Sequence, residues 1–203
     1  MSEHAHEHEH DEDAEQAEGP SDEERRAWRL AALRLVRQYP DPVLKNPAVP
    51  VGEPDDELRA LTARMTDIMR ASHGVGLAAP QIGVSRRVLV YGMRDDDVVH
   101  VLVNPELVER SEETEVENEG CLSLLGGELS IPIERHVRVR VSATDADGEV
   151  VDYEAEGLEA RVIQHEIDHL DGVLILDRAP RDQRKEGMRA LRAALEADAT
   201  DAA

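Results

Sequence analysis

The segment His165-Glu166-Ile167-Asp168-His169 restricts the fold more than any other, because its two histidines stand four residues apart. On an α-helix this spacing places both imidazoles on one face, one turn apart and close enough to share a metal ion. Glu166 then stands beside the ion without being forced to bind it, which is where a general base for water belongs. The spacing therefore predicts a helical metal site.

The surroundings of this segment favour that interpretation over the alternative, a solvated face of a charged helix. A helix predicted from Leu158 to Leu170, ended by Gly172, has apolar residues on the same side as the histidines. A buried set of His and Glu is costly without a partner, and a metal ion supplies one.

The third ligand is expected to be Cys121, the single cysteine of the chain. A lone cysteine cannot form an internal disulfide, and it is more often an apolar core residue than a ligand. Cys121, however, lies in Glu119-Gly120-Cys121-Leu122-Ser123, whose glycine permits an unusual backbone path. A catalytic ion needs three protein ligands and one open position, and ligand chemistry alone would favour zinc.

Strand and helix signals are segregated along the rest of the chain, which predicts an α+β fold. We expect strands at 87–91, 98–103, 137–141 and 150–153, a turn at 95–97, and helices at 28–36, 55–71 and around Met188–Leu195. One Trp, three Tyr and no Phe imply an aliphatic core.

Charge and hydropathy limit the partners and the compartment. A formal net charge of -22 disfavours nucleic acid and acidic membranes as primary partners. The chain has no apolar run long enough to cross a bilayer, and its polar, acidic N-terminus does not resemble a secretory signal. These features predict a cytoplasmic protein.

Three regions are expected along the chain. Residues 1–24 form an acidic, His-rich tail without apolar periodicity, predicted to be disordered. That tail is either a metal-recruiting segment or a solvated tail or expression tag. Residues 25–180 form the catalytic domain, and residues 181–203 form a C-terminal helix with a frayed end.

Three motifs resemble the signatures of one enzyme family, the peptide deformylases. They are Gly74–Gly83 (GVGLAAPQIG), Glu119–Ser123 (EGCLS) and Gln164–Gly172 (QHEIDHLDG), in the order of that family. The segment Tyr39–Leu44 is similar to the family's entry segment, so the resemblance covers roughly residues 38–178. Three ordered motifs are far more specific than any one of them.

The resemblance implies a small α+β fold in which antiparallel sheets wrap around a central helix with the H-E-x-x-H motif. It implies a metallohydrolase that removes the N-formyl group from the N-terminal methionine of new polypeptides and releases formate. The implied ion is Fe²⁺, for which Zn²⁺, Ni²⁺ or Co²⁺ can substitute. The implied partners are N-formylmethionyl nascent peptides, with the ribosome exit region as a further candidate.

The resemblance also implies the role of each catalytic residue. The ligands are Cys121, His165 and His169. Glu166 is the general base and then the acid for the attacking water. The side-chain amide of Gln81 and the backbone N–H of Leu122 stabilise the developing oxyanion. Gln81 suits this role because a neutral amide donates without competing for the metal.

The substrate site is implied in the same way. Gly76 would supply backbone hydrogen bonds to an extended peptide, and Val75 and Val162 would line the methionine pocket. The chain departs from the family after the second motif, where Glu128 stands near the place of an arginine that usually borders the peptide. Downstream peptide preference is therefore left open.

Two rival functions follow from the same residues. A metallopeptidase shares the H-E-x-x-H logic, but it rarely takes a cysteine ligand from a segment such as Glu119–Ser123. A non-enzymatic paralogue that binds formylated N-termini or ribosomes, or a metal buffer using the His-rich tail, is the other. Retention of Glu166 and Gln81 favours the enzyme. Asp168 and Asp171 receive no chemical role and are expected to be solvated or orienting groups.

Overall fold

Seven strands form two antiparallel sheets in the computed structural model, which describes residues 19–93 and 98–201. The strands are β1 (Gly76–Ala78), β2 (Val88–Tyr91), β3 (His100–Arg110), β4 (Thr114–Gly120), β5 (Ser130–His136), β6 (Arg138–Thr144) and β7 (Val150–Glu156). Five strands pair in the order β1-β2-β3-β6-β7, and β4 pairs with β5. The predicted α+β class is confirmed.

Five α-helices accompany the sheets in the described part of the chain. They are α1 (Asp22–Leu33), α2 (Asp56–Ala71), α3 (Gly157–Leu170), α4 (Ile175–Arg178) and α5 (Arg181–Asp201). Short 3₁₀ turns lie at Pro42–Lys45, Ala79–Ile82 and Leu125–Gly127. Within the described ranges, none of the helices is both long and apolar enough to cross a bilayer.

Helix α3 is the element on which the two sheets converge. It contacts strands of the five-stranded sheet and also β5 of the two-stranded sheet. Its apolar residues Ala160, Val162, Ile163, Ile167 and Leu170 are buried in one cluster with β2, β3 and β6. Burial of each large aliphatic side chain contributes about 1.5–3 kcal/mol to folding. The helix with both histidines is therefore held rigidly in the core.

Helix α1 begins earlier than the predicted Trp28. Its N-cap is Ser21, whose hydroxyl accepts from the Glu24 N–H at 3.3 Å, while the Glu24 carboxylate accepts from the Ser21 N–H at 2.8 Å. This reciprocal capping satisfies N–H groups that the first turn leaves open. The last three residues of the expected tail thus belong to α1; residues 1–18 lie outside the described part.

Several other boundaries differ from the expectations. Strands β4 and β5 lie outside the predicted strands. Strand β4 is largely polar and exposed and has no apolar alternation, whereas β5 does alternate. The strand expected at 137–141 is β6, and Val137 precedes it. Helix α5 runs from Arg181 to Asp201 and includes the predicted Met188–Leu195, while the predicted turn at 95–97 lies outside the described residues. The division into three regions stays a prediction.

Candidate metal centre

Cys121, His165 and His169 converge although the cysteine and the first histidine lie 44 positions apart in the chain. Their ligand atoms all lie within 4.8 Å of one another. The Cys121 Sγ is 3.3 Å from the His169 Nε2, and the two imidazole centroids are 5.0 Å apart. Cys121 follows β4 directly, and the histidines occupy successive turns of α3, as their spacing predicts.

A buried carboxylate orients the first histidine. The Glu119 Oε2 lies 2.9 Å from the His165 Nδ1, which leaves the Nε2 of that ring free to face the other two ligands. Arg135 donates two hydrogen bonds of 2.9 Å to Glu119, and Arg161 donates a third of 2.9 Å. Burial opposes ionisation of Glu119, but the bonds from His165 and Arg135 outweigh it and hold its pKa well below the usual range.

The same network continues beneath the site. The Arg135 Nη1 donates to the Asp168 Oδ2 at 2.5 Å, and Arg178 donates to both oxygens of that carboxylate. Asp168 is buried between the guanidiniums of Arg135 and Arg178. It is therefore an orienting group for these arginines and is not solvated. Asp171 instead pairs with Arg87 at 2.7 Å and is half exposed.

Sequence reasoning missed this support. The motif that contains Glu119 does not indicate this role, and Arg135 lies outside the three motifs. A signal existed for Arg135, because Ile131, Ile133 and Arg135 alternate on the buried face of β5. An arginine at an inward position of an alternating strand indicates a buried ionic partner.

Glu166 lies against the backbone of β1. A Cβ built on Gly76 would stand only 2.8 Å from the Glu166 Cγ and Cδ, so only glycine allows this approach. Glu166 is 4 % exposed, and its Oε2 has no hydrogen-bond partner among the described residues. Burial raises the pKa of this carboxyl to about 7, which is the range for a proton acceptor near neutral pH.

Gln81 is held in one orientation. Its Oε1 accepts from the Ala78 N–H at 2.8 Å, so its amide nitrogen points the other way. That Nε2 lies 3.3 Å from the Ser123 Oγ and 3.9 Å from the Cys121 Sγ. The arrangement keeps an N–H donor beside the cysteine ligand.

An open cleft of about 300 Å³ joins these groups. The predicted catalytic and substrate-binding residues that line it are Val75, Gly76, Gln81, Leu122, Val162 and Glu166. Cys121 and His165 also reach the cleft, whereas His169 is 1 % exposed and lies behind them. Glu128 is exposed and does not line it, while Arg29 of α1, which the sequence did not suggest, does. The structure thus brings the predicted site together, while the individual roles stay predictions.

The three ligands fit a divalent transition-metal ion. A thiolate and two imidazoles suit the borderline-soft ions of this class. The His169 Nε2 faces the Cys121 Sγ, and the Nδ1 of that ring has no partner among the described residues. Together with the buried Glu166 carboxylate and the open cleft, this arrangement is that of a metal-dependent hydrolase.

Comparisons with known proteins identify the family. The sequence profile of the polypeptide deformylases matches residues 33–185. A peptide deformylase from Acidothermus cellulolyticus is 51% identical over 163 residues, which are 80% of this chain and 88% of that protein. The chain therefore belongs to the peptide deformylase family, whose members remove the N-formyl group from nascent peptides.

Solved structures agree with this assignment. The crystal structure of peptide deformylase from Thermotoga maritima matches with a TM-score of 0.68 and 45% identity, covering 71% of this chain and 96% of that one. A Met-Ala-Ser-bound peptide deformylase from Acinetobacter baumannii matches with a TM-score of 0.66 and 34% identity, covering 70% and 96%.

Proposed function

We propose that this chain removes the formyl group from N-formylmethionyl peptides by using Cys121, His165 and His169 to hold an Fe²⁺ ion. When bound, the ion polarises the formyl carbonyl and makes the attacking water more acidic. The observation that supports the proposal is that Glu166, Gln81, Cys121 and His165 line one cleft, with the ligand atom of His169 within 4.8 Å of those of Cys121 and His165.

Glu166 moves the protons in this proposal. Its carboxylate takes a proton from the attacking water and later gives it to the leaving amine of methionine. A carboxyl whose pKa is raised to about 7 by burial suits both steps, because neither protonation state is strongly favoured near neutral pH. Its Oε2 is not engaged by any described residue and so remains available to the water.

Gln81 and Leu122 stabilise the charge that develops on the formyl oxygen. The bond from the Ala78 N–H holds the carbonyl of Gln81 away, so that its amide N–H can donate toward the cleft. The backbone N–H of Leu122, next to the cysteine ligand, is the second donor. Both residues line the cleft beside Cys121.

The peptide lies extended along one wall of the cleft. Strand β1 is an edge strand, paired on one side with β2, and Gly76 and Val75 line the cleft. An edge strand offers free backbone groups to an added strand, so Gly76 would bond the peptide backbone. Val75 and the α3 residue Val162 supply apolar surface for the methionine side chain.

The proposed setting is the cytoplasm, where nascent chains begin with formyl-methionine, and the ribosome exit region is the proposed place of encounter. Support comes from the family's action on nascent peptides. A ribosome-free assay on short peptides separates the chemistry from that encounter.

Formate release from formyl-Met-Ala-Ser tests the proposed function. Protein purified without air and reconstituted with Fe²⁺ should release formate and leave the peptide bonds intact. Acetyl-Met-Ala-Ser and a Glu166→Gln variant are the controls, and both should yield almost no product. Cleavage between residues would indicate a metallopeptidase, and tight binding of the formyl peptide without formate would indicate a binding paralogue.

The identity of the ion needs a separate comparison. Iron, zinc, nickel and cobalt forms should be prepared from the same metal-free protein and assayed before and after exposure to air. The Fe²⁺ form should be fast and lose activity in air, because iron and the thiolate of Cys121 are open to oxidation. Fastest turnover by the zinc form would contradict iron as the native ion.

A further inference from the structure

Helix α1 contributes to the cleft although nearly all of it precedes the family-matched residues 33–185. Its inward face is formed by Arg29, Ala32 and Leu33, at the i, i+3 and i+4 positions. Ala32 is buried, Arg29 and Leu33 are partly buried, and Asp22–Trp28 are exposed. The helix therefore rests on the domain through this one face.

Arg29 spans the two walls of the cleft. Its Nε donates to the Ser72 carbonyl at 3.4 Å, and its Nη2 donates to the Gly126 carbonyl at 3.3 Å. Ser72 precedes the Gly74–Gly76 wall, and Gly126 belongs to the opposite wall after Cys121. Both bonds are long, so the guanidinium is held loosely between two neutral acceptors.

The charge of Arg29 lacks the carboxylate partners that the second arginine of the cleft, Arg161, has. Arg161 is buried and paired with Glu117 at 3.0 Å and with Glu119 at 2.9 Å. Within residues 19–93 and 98–201, Arg29 forms hydrogen bonds to carbonyl oxygens and no ion pair with a carboxylate. A guanidinium has five N–H donors, so several of those on Arg29 remain for a ligand.

We propose that Arg29 is a specificity-determining residue that binds an acidic side chain of the peptide downstream of the formyl-methionine. The inference rests on the proposed function, which places the formyl end at Glu166 and Cys121. The following residues must then leave along the walls that Arg29 joins. A carboxylate is the acceptor that a guanidinium binds most strongly. The charge of Arg29 is screened by salt less than that of a fully exposed arginine, because Arg29 is partly buried.

The test compares three formyl peptides that differ in charge. They are formyl-Met-Asp-Ser, formyl-Met-Ala-Asp and formyl-Met-Ala-Lys, assayed for kcat and KM with the full-length, metal-loaded protein. The variants are Arg29→Gln and the control Arg26→Gln, an exposed arginine of the same helix. Both variants change the net charge equally, so the long-range field of a chain with charge -22 cancels in the comparison.

We expect Arg29→Gln to lower the preference for an acidic over a lysine peptide by about three- to tenfold, relative to both wild type and Arg26→Gln. The change should appear in KM with kcat preserved, because a contact away from the reacting bond is made equally in the ground and transition states. Comparison of the two acidic peptides shows whether Arg29 binds the side chain of the second or of the third residue of the peptide. Arg29→Glu should reverse the preference.

Other outcomes overturn the inference. Equal preference ratios in Arg29→Gln and Arg26→Gln would show that Arg29 does not select the peptide. A uniform fall of kcat for all peptides, with a lower Tm, would assign Arg29 a structural role in joining the walls. If the wild type released no formate from any peptide, the proposed function would fail and this inference with it.

Discussion

The two sides of the candidate metal centre differ in whether their buried charged groups have hydrogen-bond partners. On the supporting side, Glu119, Arg135 and Asp168 are buried and paired with one another by bonds of 2.5–2.9 Å. On the reactive side, Glu166 is equally buried, yet one of its carboxylate oxygens has no partner among the described residues. An unpaired buried carboxylate is costly, while a paired network is rigid.

This contrast separates stability from catalysis within one site. The supporting side fixes the direction of His165, and its charged groups are paired within the network. The reactive side keeps bonding capacity open at the cost of stability, as functional groups commonly do. Substitutions on the two sides should therefore change different measured quantities, and the following experiments are arranged from the largest expected effect to the smallest.

The largest effect is expected from Glu166→Gln, which should leave the ion bound and lower kcat by about 10²–10⁴-fold. The reason is that glutamine has nearly the same shape but cannot accept a proton. Steady-state formate release and metal analysis of the same sample measure both properties. Near-wild-type turnover, or loss of the ion, would remove Glu166 from its proposed role.

On the supporting side, Glu119→Ala should destabilise the fold by about 3–5 kcal/mol, because it leaves Arg135 and Arg161 buried without their shared carboxylate. It should also weaken metal binding by about 10–100-fold, since His165 loses its orienting partner. Urea unfolding and metal titration measure these effects. Glu117→Ala is the matched control: Glu117 is half exposed and also pairs with Arg161, so its loss should cost less than about 1 kcal/mol.

A third effect concerns the pH dependence of the metal-free protein. Burial raises the pKa of Glu166 to about 7 from an ordinary 4.5, so the folded state holds this proton more tightly than the unfolded state. Stability from this group is therefore fully present below pH 4.5 and is lost as the pH rises through about 7. Glu166→Gln has no such loss and should be more stable than wild type at pH 8 by about 3 kcal/mol.

Parallel urea titrations of metal-free wild type and Glu166→Gln from pH 4.5 to pH 8 give that difference directly. The gap between the two proteins should open as the pH increases. A constant gap would show that Glu166 is not strained by its burial, and the contrast between the two sides would lose its energetic basis.

The smallest effect is expected from removal of residues 1–18. This acidic segment has no apolar periodicity to dock on the domain, so unfolding stability should change by less than about 0.5 kcal/mol. Turnover on short formyl peptides with excess metal should also be unchanged. Lower activity only at limiting metal would support a metal-recruiting tail, and a clear fall in Tm would contradict the expected independence of this segment.

Local pattern was sufficient for the parts of the site that lie close together in the chain. The spacing of His165 and His169 determined that a helix would present both rings together, and α3 does so. The capping box at Ser21 and Glu24 is equally local, and it marks the start of α1 that the apolar pattern places too late. Strand β4 could not be found in this way, because it has no apolar alternation.

The sequence by itself predicted the candidate ligand set, through helical spacing and one cysteine in a recognisable segment. Only the tertiary structure decided which buried charged groups support that set and which keep free hydrogen-bonding capacity. Glu119 meets His165 across 46 positions, and Arg29 meets Gly126 across 97. Such pairs leave no periodic trace in the chain, because periodicity reports the direction of side chains within one element. Their formation depends on how sheets and helices pack, and that packing excludes water only when the whole domain has folded.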